Sequence, residues 1–441
     1  MKFCLEKKPG IYTCVIRIYK ERGLKTMRCI YCGAEISSDE RYYFFHKTEN
    51  GFPPELAADF LVEEEDTNYK KFFTDNSLDR LLGPSGALRV VKSETELLNL
   101  EEEYTDIEVN VREHQAVIDT ATVKGICGFR VCPSCRIVVP KEVLDGVPIL
   151  YIGLLAGKVA GKTALLHSMT ANNFKNINSG KYRFRFIQQG LLDLGHREFL
   201  ESLKEFEGGT ISDSTEKGFV YPVALEVRDC RSEKTMVLVF YDVAGELAQD
   251  EGSFMDTRLS YLRLLDVLFL LVDPGQIFDE VKKEDGQADI YKLIKNLQET
   301  LKVRRTSQDG PLDTCLMVTK ADKLTFLDSM ICYPHKKNPA GTMVGYDEPY
   351  DPDWEGMRKY LISKCRELDP VEEMLSASPE LFHPIRRYMI SALGADGYFT
   401  TLGADGYFTR NDRTGKKRDI QAQPLYLKGP LYETLLKNME V

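Results

Sequence analysis

The stretch that decides the fold is Pro148–His167, PILYIGLLAGKVAGKTALLH. It reads as an apolar strand, YIGLL, followed by a turn, Ala156-Gly157-Lys158-Val159-Ala160-Gly161. A helix then starts at Lys162-Thr163-Ala164-Leu165-Leu166. A buried strand that feeds a glycine-rich turn and then a helix makes backbone N–H groups converge on one point. The helix N-terminus adds a positive field there, and the combination suits a phosphate chain. The pattern G-x-x-x-x-G-K-[ST] is met at Gly161-Lys162-Thr163 and broken at Ala156, where it calls for glycine. Alanine fits if its φ is negative, with Gly157 beside it to take up strain. Lys162 is expected to reach the β- and γ-phosphates, and Thr163 to place its hydroxyl on Mg²⁺.

Working outward, TMVLVFYDVAGE ends an apolar strand in Asp242-Val-Ala-Gly245. A carboxylate at that strand end can hold Mg²⁺ through water, and the backbone N–H of Gly245 can meet a γ-phosphate. The strand DTCLMV runs into Thr319-Lys320-Ala321-Asp322. One carboxylate there, Asp322, accepts both N–H donors of the guanine edge. Adenine lacks that donor pair and leaves a buried acceptor unpaired, at about 1–3 kcal/mol. The stem of Lys320 can lie along the purine. Ser391-Ala392, in ISALG after the last strand, offers a backbone N–H for the guanine O6.

These segments belong to a chain of 441 residues, enough for two or three domains and a large core. Apolar runs alternate with helical patterns from 147 to 441: VPILYIGLL, FVYPVALEV, TMVLVFYDV, LLDVLFLLVD, DTCLMVTKAD and PIRRYMISAL. The expected fold class is α/β, a mostly parallel sheet flanked by helices. Helices are expected at Thr163–Met169, Ile290–Val303, Trp354–Leu368 and Tyr426–Met439, with insertions near 173–214 and 323–381. The octapeptide LGADGYFT occurs at 393–400 and again at 402–409. It reads as a local duplication in a tolerant loop, or as two arms of a hairpin.

Residues 27–146 open with Cys29-Ile-Tyr-Cys32 and close with Cys132-Pro-Ser-Cys135, around acidic segments such as FLVEEEDTNYKKFF. Four thiolates make a closed structural Zn²⁺ site. Roughly 100 residues separate the pairs, far more than in a simple zinc ribbon. Either a subdomain is inserted between two knuckles, or Cys127, His46 or His114 joins another grouping. Residues 1–26 are a leader of uncertain status, because Met27 directly precedes the first cysteine pair.

The eleven cysteines are too few for a disulfide scaffold, and their C-x-x-C grouping points to a reducing compartment, hence the cytoplasm. A net charge of −10 disfavours nucleic acid as a general partner and, with the acidic insert, favours a protein partner. No run reaches the roughly 20 apolar residues of a membrane span.

The ordered set AGKVAGKT, DVAG, TKAD and SAL resembles the small-GTPase-like (TRAFAC-type) P-loop GTPases over about 147–441. With the zinc-ribbon module at the N-terminus, the chain looks like bacterial double-GTPase proteins of conflict and signalling systems. The resemblance implies GTP or GDP with Mg²⁺ as ligands, and a switch that passes its state to a protein partner. It assigns phosphate and Mg²⁺ roles to Lys162 and Thr163, and the second switch to Asp242, Gly245 and Glu246. Base reading falls to Thr319, Lys320 and Asp322, and the last loop is Ser391-Ala392. For the first-switch threonine, Thr215 is preferred within EGGTISDSTEKGFVYPV and Thr210 is its rival. Many relatives carry glutamine where this chain has Glu246, and no arginine can be assigned as an internal finger. The expectation is a GTPase with slow intrinsic hydrolysis, speeded by a partner's cation. The alternatives are a non-hydrolysing nucleotide-dependent scaffold and an ATPase, which Asp322 disfavours.

Overall fold

A computed structural model describes residues 27–36, 42–45, 74, 89–91, 107–111, 115–120, 126–157, 160–175, 182–189, 191–207, 222–242, 261–279, 289–306, 309–320, 335–337, 343–345, 366–390, 410–411, 417–418, 431, 434–435 and 438–439. The N-terminal part opens with a small antiparallel pair, β1 (Met27–Arg28) and β2 (Glu35–Ile36), wrapped around the first cysteine pair. A five-stranded antiparallel sheet follows: β3 (Tyr42–Phe45), β4 (Arg89–Val91), β5 (Ile107–Val111), β6 (Gln115–Thr120) and β7 (Ile126–Val131). Its order is β4-β3-β7-β6-β5. Strand β7 runs straight into Cys132, so this sheet stands between the two cysteine pairs.

After the short helix α1 (Lys141–Leu144), the chain enters the main sheet with β8 (Ile149–Ala156). Then come α2 (Lys162–Lys175), β9 (Tyr182–Phe186), α3 (Leu191–Glu207), β10 (Val223–Asp229), β11 (Thr235–Asp242) and β12 (Val267–Val272). Next are α4 (Ile290–Arg304), β13 (Leu312–Val318), a hairpin of β14 (His335–Lys337) and β15 (Met343–Gly345), α5 (Asp369–Ser376) and β16 (Phe382–Met389). A last small hairpin pairs β17 (Arg410–Asn411) with β18 (Lys417–Arg418). The LGADGYFT copies lie outside the described residues.

The seven-stranded sheet has the order β16-β13-β12-β8-β11-β10-β9. Strands β16, β13, β12, β8 and β11 are mutually parallel. Every residue of β12 (VLFLLV) and β13 (LDTCLMV) is buried, which is why these strands read as unbroken apolar runs: both faces are covered. The run FVYPVALEV departs from the parallel expectation. Strand β10 returns antiparallel to β11 through a tight turn at Asp229. The Asp229 carboxylate accepts from the Arg231 N–H and the Ser232 hydroxyl, both at 2.8 Å, and Glu233 takes a left-handed φ of 61°. Such a local side-chain-braced turn closes a hairpin and makes no room for a crossover.

The stretch 173–214 contributes β9 and α3. Strand β9 adds an edge to the sheet, with Tyr182 and Phe184 buried and Arg183 and Arg185 facing out. The helix expected at Ile290–Val303 is α4, capped by the Asp289 carboxylate, which accepts from the Tyr291 N–H at 2.8 Å. The helix expected at 163–169 begins at Lys162 and continues to Lys175. Most of Trp354–Leu368 lies outside the described residues. Toward Tyr426–Met439, residues 431, 434–435 and 438–439 are helical. Among the described residues, no helix is long and apolar enough to cross a membrane.

The cysteine pairs and the main sheet share one core. Cys29, Ile30, Tyr31 and Ile36 pack in the same buried cluster as Tyr151, Phe240 and Leu265. The join is made by backbone carbonyls of the first pair. Tyr241 of β11 donates to the Ile30 carbonyl at 2.5 Å, Tyr151 of β8 to the Arg28 carbonyl at 3.3 Å, and Arg263 to the Cys32 carbonyl. The register places Tyr151, Gly153 and Tyr241 on one face of the sheet. A Cβ at Gly153 would sit 2.6 Å from Leu265 Cδ1, so glycine here lets the segment before β12 press onto the sheet.

Candidate phosphate-binding site and metal centre

The described residues of the turn after β8 are Ala156, Gly157, Ala160 and Gly161. Ala156 closes β8 in extended conformation and is fully buried, so the position does not need glycine. Gly161 has φ +80°, and open space surrounds the place its Cβ would take. The backbone conformation alone therefore demands glycine there. The next residue, Lys162, opens α2. The first-turn N–H groups of a helix have no partner within it, and they are turned toward the same end as the dipole's positive pole.

Thr163 and Asp242 meet at the mouth of this turn. The Thr163 hydroxyl donates to Asp242 Oδ2 at 2.7 Å. The other carboxylate oxygen, Oδ1, is buried and accepts no hydrogen bond among the described residues. An orphaned carboxylate oxygen next to a threonine hydroxyl fits a hydrated divalent cation. Lys162 is 8% exposed. Burial pulls the Lys162 ammonium pKa below its ordinary value, opposed by the charge of Asp242. Burial pushes the Asp242 carboxyl pKa up, opposed by Lys162 and by the Thr163 bond. Both charges are thus held out of water, and one oxygen of Asp242 is left without a hydrogen bond among the described residues, a poise that a bound anion with its cation would relieve.

The base-reading segment begins at the end of β13. Thr319 is buried; its N–H donates to the Val272 carbonyl at 2.9 Å and its hydroxyl to the same carbonyl at 3.3 Å. Lys320 has φ +49°, and its ammonium is 2.7 Å from Asp273 Oδ2. Because β8, β11, β12 and β13 are parallel neighbours, Gly157, Asp242, Asp273 and Lys320 all lie at the same edge of the sheet. The arrangement can hold a polyphosphate at one end and a planar base some strands away.

The candidate metal centre gathers Cys29, Cys32, Cys132 and Cys135, whose sulfur atoms all lie within 4.8 Å of one another and could hold a metal ion. Cys29 and Cys135 stand 3.7 Å apart, as do Cys32 and Cys132. These separations are too long for disulfides. They match the edge of a tetrahedron with bonds of about 2.3 Å to a central Zn²⁺, about 3.8 Å.

Both pairs fold alike. Cys29 N–H donates to the Ala34 carbonyl and Gly33 N–H to the Cys29 carbonyl, each at 2.8 Å, while Tyr31 N–H points at the Cys29 sulfur at 3.5 Å. In the second pair, Cys132 N–H meets the Ile137 carbonyl and Arg136 N–H the Cys132 carbonyl, each at 2.9 Å. Ser134 N–H lies 3.4 Å from the Cys132 sulfur. N–H groups aimed at sulfur favour the thiolate. The residue after each pair is left-handed, Gly33 at φ +67° and Arg136 at φ +60°. Burial raises the Cys29 and Cys135 thiol pKa values, while bonds from neighbouring thiols lower those of Cys32, from Cys132 first, and Cys132, from Cys135 first.

The structure therefore brings together Lys162, Thr163 and Asp242, sets Ala156, Gly157, Ala160 and Gly161 in the turn before them, and gathers the four cysteines. Lys158, Val159, Thr210, Thr215, Gly245, Glu246, Asp322, Ser391, Ala392, His46 and His114 lie outside the described residues, as does the Cys127 side chain. Sequence reasoning missed Tyr241 and Asp273. For Asp273 a signal was present: D-P-G-Q pairs a capping carboxylate with a glutamine three residues on and proline between.

No family model and no curated protein matches the chain. Among solved structures it is similar to sup35 complexed with GMPPNP, at 9% identity and TM-score 0.22, covering 56% of this chain and 38% of that one. It is similar to a single-substitution variant of Aquifex aeolicus Era bound to GDP.AlF4⁻, at 13% identity and TM-score 0.25, covering 56% and 52%. A third is the S. cerevisiae Ski7 GTPase-like domain bound to GDP and inorganic phosphate, at 14% identity and TM-score 0.29, covering 67% and 51%. The chain thus spans between about a third and a half of their lengths.

Proposed function

We propose that this chain is a guanine-nucleotide-binding protein that hydrolyses GTP slowly and passes its state to a protein partner in the cytoplasm. The observation that carries the reading is the Thr163 hydroxyl donating to Asp242 at 2.7 Å, with a buried carboxylate oxygen left over and a buried lysine alongside. Lys162 and the N–H groups from Ala156 through Thr163 hold the phosphates. Thr163 and Asp242 hold a hydrated Mg²⁺, whose charge offsets that of the phosphates when bound. Asp322 reads the guanine edge, with Thr319 and Lys320 bracing its loop and the Ala392 N–H meeting O6.

Thr215, or its rival Thr210, and Gly245 belong to the segments that respond to the γ-phosphate. Glu246 is the residue directly after D-x-x-G in the sequence, the position assigned to orienting the attacking water. A carboxylate there accepts a proton from water but is repelled by phosphate charge, which is the physical basis for slow turnover. The same residue favours the second reading, a nucleotide-dependent scaffold that does not hydrolyse. Four-cysteine Zn²⁺ binding is structural in this scheme, since four thiolates leave no open coordination position. The resemblance to double-GTPase proteins would make the chain one member of a multi-protein switch.

Single-turnover hydrolysis of GTP by the purified full chain separates the two readings. Slow, Mg²⁺-dependent release of phosphate that Lys162→Ala abolishes supports the GTPase. Tight binding of GTP with no release over many hours supports the scaffold.

A further inference from the structure

We propose that Asp273 is a positioning residue for base recognition, setting the lysine of the Thr319-Lys320-Ala321-Asp322 segment in the pose that guanine selection requires. The proposal rests on the guanine reading above and names a residue outside that motif.

Asp273 directly follows β12, the neighbour of β13, and is 2% exposed. Its N–H and one carboxylate oxygen are hydrogen-bonded within the turn, and the other oxygen is left to an ion pair. Its N–H donates to Gln276 Oε1 at 2.8 Å, its Oδ1 accepts from the Gly275 N–H at 2.9 Å, and its Oδ2 faces the Lys320 ammonium at 2.7 Å. Pro274 opens the short helical turn Pro274–Gln276 and fixes its first φ. The carboxylate is therefore rigid before any lysine arrives.

The lysine is constrained in turn. Its backbone sits at φ +49°, a region that residues with a Cβ avoid. The residue before it, Thr319, is tied twice to the Val272 carbonyl at the end of β12. Backbone and ammonium are thus both anchored to the end of the neighbouring strand, and the four-carbon stem has a set course between them. A pair this secluded is a weak source of stability, because desolvation offsets its attraction. What it supplies is orientation: with Thr319 and the Lys320 ammonium both tied to the end of β12, the segment that leads in sequence to Asp322 starts from a fixed point, and selection by that carboxylate depends on that start, while the lysine stem offers a stacking surface to any purine.

Asp273→Asn separates this role from a merely structural one. Asparagine keeps the oxygen that accepts from Gly275 and so keeps the turn, but removes the charge facing Lys320. Asp273→Ser does the same with a shorter cap, and serves if the first variant folds poorly. The probe is a fluorescent GDP analogue bound to the full chain with Mg²⁺, displaced separately by GDP and by ADP.

The expected result is a loss of GDP affinity on the order of tenfold in either variant with a clearly smaller loss for ADP, which shares the stacking surface and not the carboxylate contact, so that the preference for guanine contracts. If the wild-type chain prefers GDP and both variants keep its GDP-to-ADP ratio, Asp273 has no positioning role. If the wild-type chain does not distinguish GDP from ADP, the guanine reading itself falls and this proposal with it.

Discussion

Tyr241 donates its hydroxyl to the Ile30 carbonyl at 2.5 Å, across 211 positions of sequence. Ile30 lies between two of the metal-centre cysteines, and Tyr241 is the residue before Asp242. The ring stacks on Tyr261 at 4.6 Å between centroids. Burial pushes the phenol well above its usual pKa, so it remains a donor. Replacing it by phenylalanine keeps the stack and leaves a buried carbonyl without its donor. Tyr241→Phe is expected to cost about 1–3 kcal/mol, read as a lower urea midpoint with an unchanged slope.

Metal removal should act on the whole fold. The cysteine pairs share their buried cluster with the central strands, so the turns that hold the cysteines are not expected to unfold apart from the main sheet. The account expects about one Zn²⁺ per purified chain, and chelation lowering the main thermal transition by on the order of 5 °C or more. Cys132→Ser should reproduce the shift and lose the metal. An early separate transition, with the main one unmoved, would contradict the shared core.

The Thr163–Asp242 pair predicts a Mg²⁺-specific defect. Thr163→Ala and Asp242→Asn each remove half of the cation's holding groups and leave Lys162 and the turn in place. The gain in nucleotide affinity on adding Mg²⁺ should shrink by roughly tenfold in both variants. Affinity measured in EDTA should change by less than about threefold.

His167 predicts a pH dependence. It lies on α2, 3% exposed, with its ring 4.8 Å from that of Phe199. Burial pushes its pKa from 6.5 down to about 4. Between those values the unfolded chain binds a proton that the folded chain refuses. Stability should therefore be fully present above about pH 6.5 and fall as pH drops toward 4, by roughly 3 kcal/mol. Denaturation of His167→Phe over the same range should show a shallower slope, keeping the part that His196, also shifted down by burial, contributes.

The parts legible in the sequence are those where chemistry dictates residue type at a fixed spacing. Gly161-Lys162-Thr163 and Asp242 could be read because phosphate and cation need a left-handed turn, an ammonium, a hydroxyl and a carboxylate at successive strand ends. The four cysteines could be read from their C-x-x-C spacing. Their meeting across roughly 100 residues required the inserted sheet of β3 to β7, whose pairing no local pattern announces.

The docking of the cysteine pairs on the sheet was not legible, because its acceptors are backbone carbonyls of Arg28, Ile30 and Cys32, which any residue presents. Nor was the Asp273–Lys320 pair, which joins two loops that become neighbours only once β12 and β13 align. The antiparallel course of β10 was hidden for a related reason: the direction of a strand is set by its partner and its turn, not by its own residue types.

The central claim, a guanine-selective nucleotide site at the ends of these parallel strands, is tested most directly by equilibrium competition on the purified full chain. GDP, ATP and xanthosine diphosphate would each displace a bound guanine-nucleotide probe in the presence of Mg²⁺, for the wild type and for Asp322→Asn. The account predicts that GDP displaces the probe from the wild type while ATP fails to, and that the variant turns its preference to the xanthine nucleotide. Displacement by ATP as readily as by GDP, or an unchanged preference in the variant, would contradict it.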